Sequence, residues 1–427
     1  MQSTLSSEAH HYARWHWPLA AVSNFSKRPK HSRTNRTHRL RDIAALSLTG
    51  ILTFTGVAAG AAANQVTANI ATVDVDSVFE VFERETAHAR PTTVIPPETY
   101  GANRALNILV LGVDDRDGNN SEFAVDDVEG ARADTAMVLH ISADRQHTAL
   151  ISIPRDSVVD IPSCPTSTPG RFTTAHANTR FNAAFAFGYD KGGDVQSGAI
   201  CTLTTIESIT NVRLDGFIVV DFAGFRGMVD ALGGVPICLE QRISAPKAGG
   251  LLLEAGCQSL EGWQALQFMR ARTGIGLGDG SDLTRIRRQQ QLMENIAVEV
   301  LANNVLTDAP TLLRFLNATT SSMTASANFA SVTGLASLAQ SLGSIQLDGI
   351  DFIMVPIAGN PDDPNTVVWT RAAEELWRNV RYNTLYADEA GTTDNAVDGE
   401  VLDAGDVDGT TSGAPRLADV AAPADRG

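Results

Sequence analysis

One stretch constrains this chain more than any other. From Ile43 to Ala63 it reads IAALSLTGILTFTGVAAGAAA, 21 residues without a charge. A helix of that length, at about 1.5 Å per residue, covers a hydrocarbon core of roughly 30 Å. Lys27, Arg28, Lys30, Arg33, Arg36, Arg39 and Arg41 all precede it. The positive-inside rule therefore puts residues 1–42 in the cytoplasm as a basic tail and the chain beyond about residue 64 outside. A cleaved signal peptide is the alternative, since three alanines end the run. The long lead and the long span favour an uncleaved, single-pass anchor in the cell membrane.

The net charge of −16 argues against a nucleic-acid partner, yet it conceals an asymmetry. Residues 1–42 carry eight Lys or Arg against Glu8 and Asp42, whereas ten acidic residues from Asp388 onward face Arg416 and Arg426. The segment 387–427 is small, acidic and too poor in apolar side chains to fold, so a disordered tail is expected there. Residues 64–96 read as an extracytoplasmic stalk and 97–380 as the folded domain. Cys164, Cys201, Cys238 and Cys257 all follow the apolar run. An even count in an exported domain predicts two disulfides in one of three pairings. Cys164–Cys201 and Cys238–Cys257 are preferred, because each closes a loop rich in Gly, Pro or Ser; four buried thiols are the alternative.

Apolar runs predict strands at Asn107–Gly112, Ala136–Ser142, Thr148–Ile153, Phe217–Val220, Val235–Leu239 and Ile350–Pro356. Helical spacing predicts helices over Thr202–Thr210, Phe222–Leu232, Glu261–Met269, Asp282–Leu301 and Phe329–Leu342. Strands alternating with helices imply an α/β fold, expected here as a three-layer α/β/α sandwich around a central mixed sheet. The glycine-rich GIGLGDG at Gly274–Gly280 lacks dinucleotide spacing and strand–helix context, so it reads as a loop.

Charge gathers at the ends of these elements. Asp114 follows the first strand, Arg132 and Asp134 precede the second, and Arg155 and Asp156 follow the third. If the first and third strands run parallel, Asp114 and Arg155 meet at one sheet edge, where open α/β sheets bind ligands. Arg180 and Asn182 precede an aromatic run, Arg270 and Arg272 close one helix, and Asp282, Arg285, Arg287, Arg288 and Gln289 open the next. Arginine near a helix N-terminus opposes the dipole, so its presence there points to an anionic ligand. Guanidinium forks hold phosphate oxygens bidentately, and two carboxylates with phosphate oxygens and water suit Mg²⁺. The ordinary alternative for any single one of these residues is a solvated loop charge. No Ser-His-Asp or Cys-His pattern stands out, so phosphate-centred chemistry is favoured over acyl transfer.

The segments NILVLGVDDR, RADTAMVLHIS, ISIPRDSVVDIP, RFNAAFAFG, FIVVDFAGFRGMVDALGGV, and MRAR followed by DLTRIRRQQQ occur in the order found in one family. Across residues 104–302 the chain resembles the LytR–CpsA–Psr family of bacterial envelope proteins. The resemblance implies a Mg²⁺-dependent transferase. Such an enzyme moves a glycopolymer from a polyprenyl-pyrophosphate carrier to peptidoglycan through a phosphodiester bond. It implies Asp114 and Asp134 as metal ligands, and Arg132, Arg155, Arg180, Arg270, Arg272, Arg285, Arg288 and Gln289 as the pyrophosphate-binding set. Asp134 and Arg155 are the expected catalytic residues, with Asp134 or Asp156 as the base.

Two departures stand out: the insertion after Asp114 is long, which makes Asp115 an alternative ligand, and Arg180 replaces a frequent Lys. The lipid needs an apolar cavity, for which Phe181, Phe185, Phe187, Phe217, Phe222, Phe225 and Phe268 are candidates. An Ala-, Asp-, Arg- and Gly-rich composition fits a high-GC actinobacterium, and by analogy arabinogalactan is the expected polymer. A polyprenyl-pyrophosphate hydrolase and a membrane-bound transcriptional regulator are the alternatives. A cytoplasmic part of about 42 residues without periodic helices speaks against the second.

Overall fold

The computed structural model describes residues 68–86, 89–92, 104–114, 132–278, 282–303, 305, 309–320, 322–343 and 345–386. The expected apolar span at 43–63, Asp115 and the acidic tail lie outside them. Among the described residues no helix is long and apolar enough to cross a membrane.

Among the described residues the first elements are β1 (Ala71–Val73) and α1 (Val75–Thr86), then β2 (Leu106–Asp114), β3 (Arg132–Ile141) and β4 (Thr148–Ser152). A hairpin of β5 (Val158–Ile161) and β6 (His176–Arg180) precedes α2 (Ala183–Gly192), α3 (Val195–Thr210), β7 (Gly216–Asp221) and α4 (Phe222–Leu232). Four short strands follow, β8 (Val235–Leu239), β9 (Ile243–Ala245), β10 (Leu251–Leu253) and β11 (Gly256–Leu260). Then come α5 (Gly262–Arg270), α6 (Asp282–Ala302), α7 (Ala309–Thr320), β12 (Met323–Ser326) and α8 (Val332–Gly343). The last elements are β13 (Ile350–Met354), β14 (Ile357–Gly359), β15 (Val367–Trp369) and α9 (Arg371–Tyr382).

Seven strands form one sheet in the order β1-β12-β7-β2-β3-β4-β13. It is mixed: β7 runs parallel to β2 and β13 to β4, whereas β3 is antiparallel to both of its neighbours. Alternation along each strand sends side chains to opposite faces. Leu109, Leu111, Val113, Val138, Ile151, Phe217 and Val219 pack in one cluster with Phe82 of α1, Phe185 of α2, Leu203 of α3 and Trp377 of α9. Val110, Met137, Leu139, Leu150 and Val220 point the other way, towards α4, α5, α6 and α7. Helices thus cover both faces of a mixed central sheet.

Local chemistry sets the boundaries of these elements. Asp221 ends β7 and caps α4 by accepting from the Gly224 N–H at 2.8 Å. Gly233 closes that helix at φ 84°, a left-handed conformation that costs glycine little. Both preferred disulfides are present, Cys164–Cys201 and Cys238–Cys257. The second joins residues that face each other across β8 and β11.

The expected stalk is the main difference between sequence and structure. Part of it belongs to the domain: β1 pairs with β12, and α1 buries Val75, Val78, Phe79 and Phe82. Arg90 is 7% exposed, donates to both Glu207 carboxylate oxygens at 2.8 and 2.7 Å, and lies 4.0 Å from the Phe79 ring centroid. An amphipathic helix and a buried, fully paired guanidinium tie these residues to the core, so the domain begins before residue 97.

Candidate functional site

β2 and β4 both run antiparallel to β3, so the C-terminal ends of β2 and β4 and the start of β3 share one sheet edge. Parallel pairing with β2 brings the end of β7 there too, with Asp221 opposite Val113. The edge therefore collects Asp114, Arg132, Asp134, Arg155 and Asp221.

Asp134 owes its orientation to a β-bulge. Gly112 pairs with Thr135 and Val113 with Ala133, leaving Asp134 without a partner on β2. Strict alternation would send Asp134 to the face opposite Thr135. The extra residue resets the count, and both line the same cavity.

Ion pairs then run outward from Asp134 in alternating sign. Its Oδ1 accepts from Arg272 and from Arg155, each at 3.2 Å. Arg155 also donates to Asp156 at 3.4 Å, Arg180 lies 3.5 Å from Asp156, and Arg180 reaches Asp363 at 3.7 Å. Arg180 and Arg272 are about half exposed, at 45% and 49%, so screening by water leaves these links weak in the absence of a ligand. Their effect is to hold guanidinium groups ready at the rim.

Behind the rim lies a cavity of about 400 Å³. Its mouth is polar, formed by Asp134, Thr135, Asp221, Arg270, Arg285 and Gln289. Its depth is apolar, lined by residues such as Leu139, Leu150, Met293, Ile296, Phe315 and Phe352. The helix α6 spans both parts with a single stripe. Arg285 and Gln289, only 4% and 7% exposed, begin it, and Met293, Ile296, Ala297 and Val300 continue it. Arg285 to Val300 covers roughly 22 Å at 1.5 Å per residue. Arg270 joins the mouth with its guanidinium 4.4 Å from the Phe222 ring centroid.

The expected set divides accordingly. Asp134, Arg155, Arg270, Arg272, Arg285 and Gln289 converge on the mouth, with Asp114 at the adjoining strand end and Arg180 one carboxylate further out. Arg132 stands exposed at the start of β3. Arg288 departs from expectation: its guanidinium donates to the carbonyls of Phe268 and Ala271 at 2.9 and 2.6 Å. Those carbonyls end α5, so Arg288 ties two helices together instead of lining the cavity. Burial, followed by the charge of Arg285, pushes Arg288 down to about 10, which leaves it cationic at neutral pH. Arg287 is exposed.

Of the aromatic candidates, Phe222 and Phe225 line the cavity. Phe181, Phe185 and Phe217 fill the core across the sheet, Phe187 stacks on His176, and Phe268 packs from α5 into a second core cluster. Sequence reasoning missed Asp221, Thr135 and Asp363. Asp221 falls between the strand and the helix expected on either side of it, and its place beside β2 depends on strand pairing.

Asp114 and Asp134 fit a hard divalent cation by the chemistry of their oxygens and by lying on paired strands at the same sheet edge. Among the described residues no group of three or more His, Cys, Asp or Glu side chains is arranged to hold a metal. Any such ion would complete its shell from ligand oxygens and water. The whole arrangement suits a ligand with a polyanionic head and a long apolar tail.

Comparison with known proteins identifies the family. The model of the LytR_cpsA_psr family matches residues 70–382. The chain is 31% identical over 242 residues to the polyisoprenyl-teichoic acid–peptidoglycan teichoic acid transferase TagU of Oceanobacillus iheyensis, a match covering 57% of this chain and 65% of that protein. It is 34% identical over 202 residues to the probable cell wall biosynthesis protein LcpB of Corynebacterium glutamicum, covering 46% and 42% respectively. The chain thus spans less than two thirds of the length of these curated relatives. The LytR-Csp2A-Psr enzyme from Actinomyces oris shares the fold with a TM-score of 0.50 at 20% identity, over 73% of this chain and 96% of that one.

Proposed function

The chain belongs to the LytR–CpsA–Psr family, and from that premise we propose that it is an envelope transferase acting on a lipid-linked glycopolymer. The donor is a polyprenyl-pyrophosphate carrier, the acceptor is a peptidoglycan hydroxyl, and the new link is a phosphodiester. One observation carries the reading: a single cavity joins an arginine-rich mouth to an apolar depth that runs along α6. The tail lies along Met293, Ile296 and Val300, and the pyrophosphate meets Arg270, Arg285 and Gln289.

In the reaction the acceptor oxygen attacks the sugar-side phosphorus. The bond from that phosphorus to the bridging oxygen breaks, and polyprenyl monophosphate leaves. Catalysis of this kind depends on positioning and on charge stabilisation more than on covalent chemistry. Arg155 and Arg272, already aimed at the mouth by Asp134, take up charge that develops on the leaving phosphate. Asp134 and Asp156 both contact Arg155 and are the candidate acceptors of the hydroxyl proton. Asp114 and Asp134 would hold Mg²⁺, which when bound would neutralise pyrophosphate charge.

The finer assignments rest on the sequence. They are a single-pass anchor with the domain outside the membrane, and arabinogalactan as the polymer. Relatives named as teichoic acid transferases support lipid-linked glycopolymer as the substrate class.

The test is reconstitution of the full chain in vesicles with a polyprenyl-pyrophosphate glycan, peptidoglycan and Mg²⁺. The expected products are phosphodiester-linked polymer and polyprenyl monophosphate. Sugar phosphate released at the same rate without acceptor would make the protein a hydrolase instead.

A further inference from the structure

Large apolar side chains standing in solvent are few among the described residues: Leu252, Trp263, Ile275 and Tyr382, at 49, 37, 71 and 44% exposure. The first three belong to one small surface. Ser244 of β9 pairs with Leu252 of β10 on one side and forms a bridge with Ile275 on the other. Directly paired residues of antiparallel strands present their side chains on the same face. Leu252, Ser244 and Ile275 therefore form one row about 10 Å wide, two strand spacings. The opposite face of these strands, with Ile243, Ala245, Leu251 and Leu253, is buried in a core cluster, so the row faces outward. Trp263 borders it, with its ring against Gly249 in the β9–β10 turn, and Lys247 stands exposed in the same turn.

This surface adjoins the cavity mouth. Arg270 lines the mouth, Arg272 holds Asp134, and Ile275 follows three residues later. The chain also enters the domain from that side. β12 is antiparallel to β7 and β1 is parallel to β12, so the start of β1 lies at the same sheet edge as Asp221. The uncharged apolar run ends at Ala63, eight residues before Ala71. At most about 28 Å of extended chain separates the end of that run from this edge.

We propose that Leu252, Trp263 and Ile275 seat on the bilayer surface beside the mouth, so that a lipid carrier passes from the leaflet into the cavity without crossing water. A tryptophan beside aliphatic side chains and an exposed lysine suits the headgroup–acyl boundary. The purpose of this contact rests on the proposed function, whereas the contact itself is measurable without it.

The experiment places the full chain in vesicles of phosphatidylcholine and phosphatidylglycerol with brominated acyl chains. The Trp263 emission is isolated by subtracting that of W263F. Quenching of this component, and its loss in the L252E/I275E variant, is the expected result; an unquenched Trp263 overturns the proposal. A row that instead holds two copies together would show as a dimer that L252E/I275E dissociates, with no quenching, and that also overturns it. In transfer assays L252E/I275E should lose about tenfold or more with a long-chain carrier embedded in vesicles. It should match wild type with a short-chain carrier in detergent. Equal loss in both arms means damage to the site and counts against membrane seating. Absence of transfer by wild type in both arms sinks the functional reading and leaves the quenching to decide the contact.

Discussion

Arg288 offers the sharpest separation of a ligand-binding arginine from a structural one. Its bonds to the Phe268 and Ala271 carbonyls satisfy the end of α5, where carbonyls lack intrahelical partners. Arg288→Met keeps much of the side-chain volume and removes both bonds. A hydrogen bond to a charged group contributes about 1.5–3 kcal/mol. Two on one guanidinium are not additive and Arg288 is only partly buried, so a net cost of about 2–3 kcal/mol is expected. At about 2–4 °C per kcal/mol, Tm should fall by roughly 4–12 °C. Arg285→Met should act on the ligand, because Arg285 lines the cavity mouth. Pyrophosphate affinity should fall about 10- to 150-fold, the equivalent of one charge-assisted bond. Thermal unfolding and titration with a polyprenyl pyrophosphate would be run on both variants. The reasoning fails if Arg288→Met leaves Tm unchanged while weakening binding as much as Arg285→Met does.

Three further outcomes follow from the geometry. Asp134→Asn should keep the fold while lowering transfer and its dependence on added Mg²⁺ together, because amide oxygen is a poorer ligand for a hard cation; equal transfer by both proteins in chelator would exclude a metal role. Burial pushes the His140 imidazole down to about 4, so between pH 6.5 and 4 the unfolded chain binds a proton that the folded chain refuses. Stability should therefore fall on acidification through that window, by about 2 kcal/mol at pH 5, and urea unfolding of His140→Gln should show a flatter profile. Replacing Cys238 and Cys257 by serine should cost about 2–5 kcal/mol, read as a lower Tm than wild type under non-reducing conditions.

The parts of the fold that were legible in the sequence were those with strong local chemistry. Phe222–Leu232 and Val235–Leu239 coincide with their expected bounds, because Asp221 caps the helix and Gly233 ends it. β1 and β12 escaped notice because three and four residues carry too little alternation, and tertiary pairing alone defines them. The β5–β6 hairpin escaped for a different reason, since HANTR is polar on both faces. The strand-end charges do meet at one edge of the sheet, yet the bulge that turns Asp134 towards the cavity is set by the register between β2 and β3. Spacings of three and four residues put Arg285, Arg288 and Gln289 on one broad face of α6. At about 100° per residue, however, Arg288 lies 60° to one side of Arg285, and Gln289 lies 40° to the other. The cavity stripe continues on the Gln289 side, and α5 occupies the side of Arg288.

That division explains how one helix can measure its ligand. Arg285, Gln289 and Val300 all line the cavity from α6, so on the proposed reading the spacing between the sites for head and tail is fixed by helical rise and not by loop conformation. A carrier with a tail but no pyrophosphate fills the apolar depth but offers no phosphate oxygens to the cationic mouth formed with Arg270 and Arg285. A soluble nucleotide diphosphate satisfies the arginines but leaves the apolar depth unfilled and forgoes that burial. Each half of the cavity selects against ligands that satisfy only the other, which requires the two chemistries to share a single rigid element. Arg288, by anchoring α6 to the end of α5, keeps that element in register with Arg270 and Arg272. An arginine outside the cavity can thus govern the geometry of those within it.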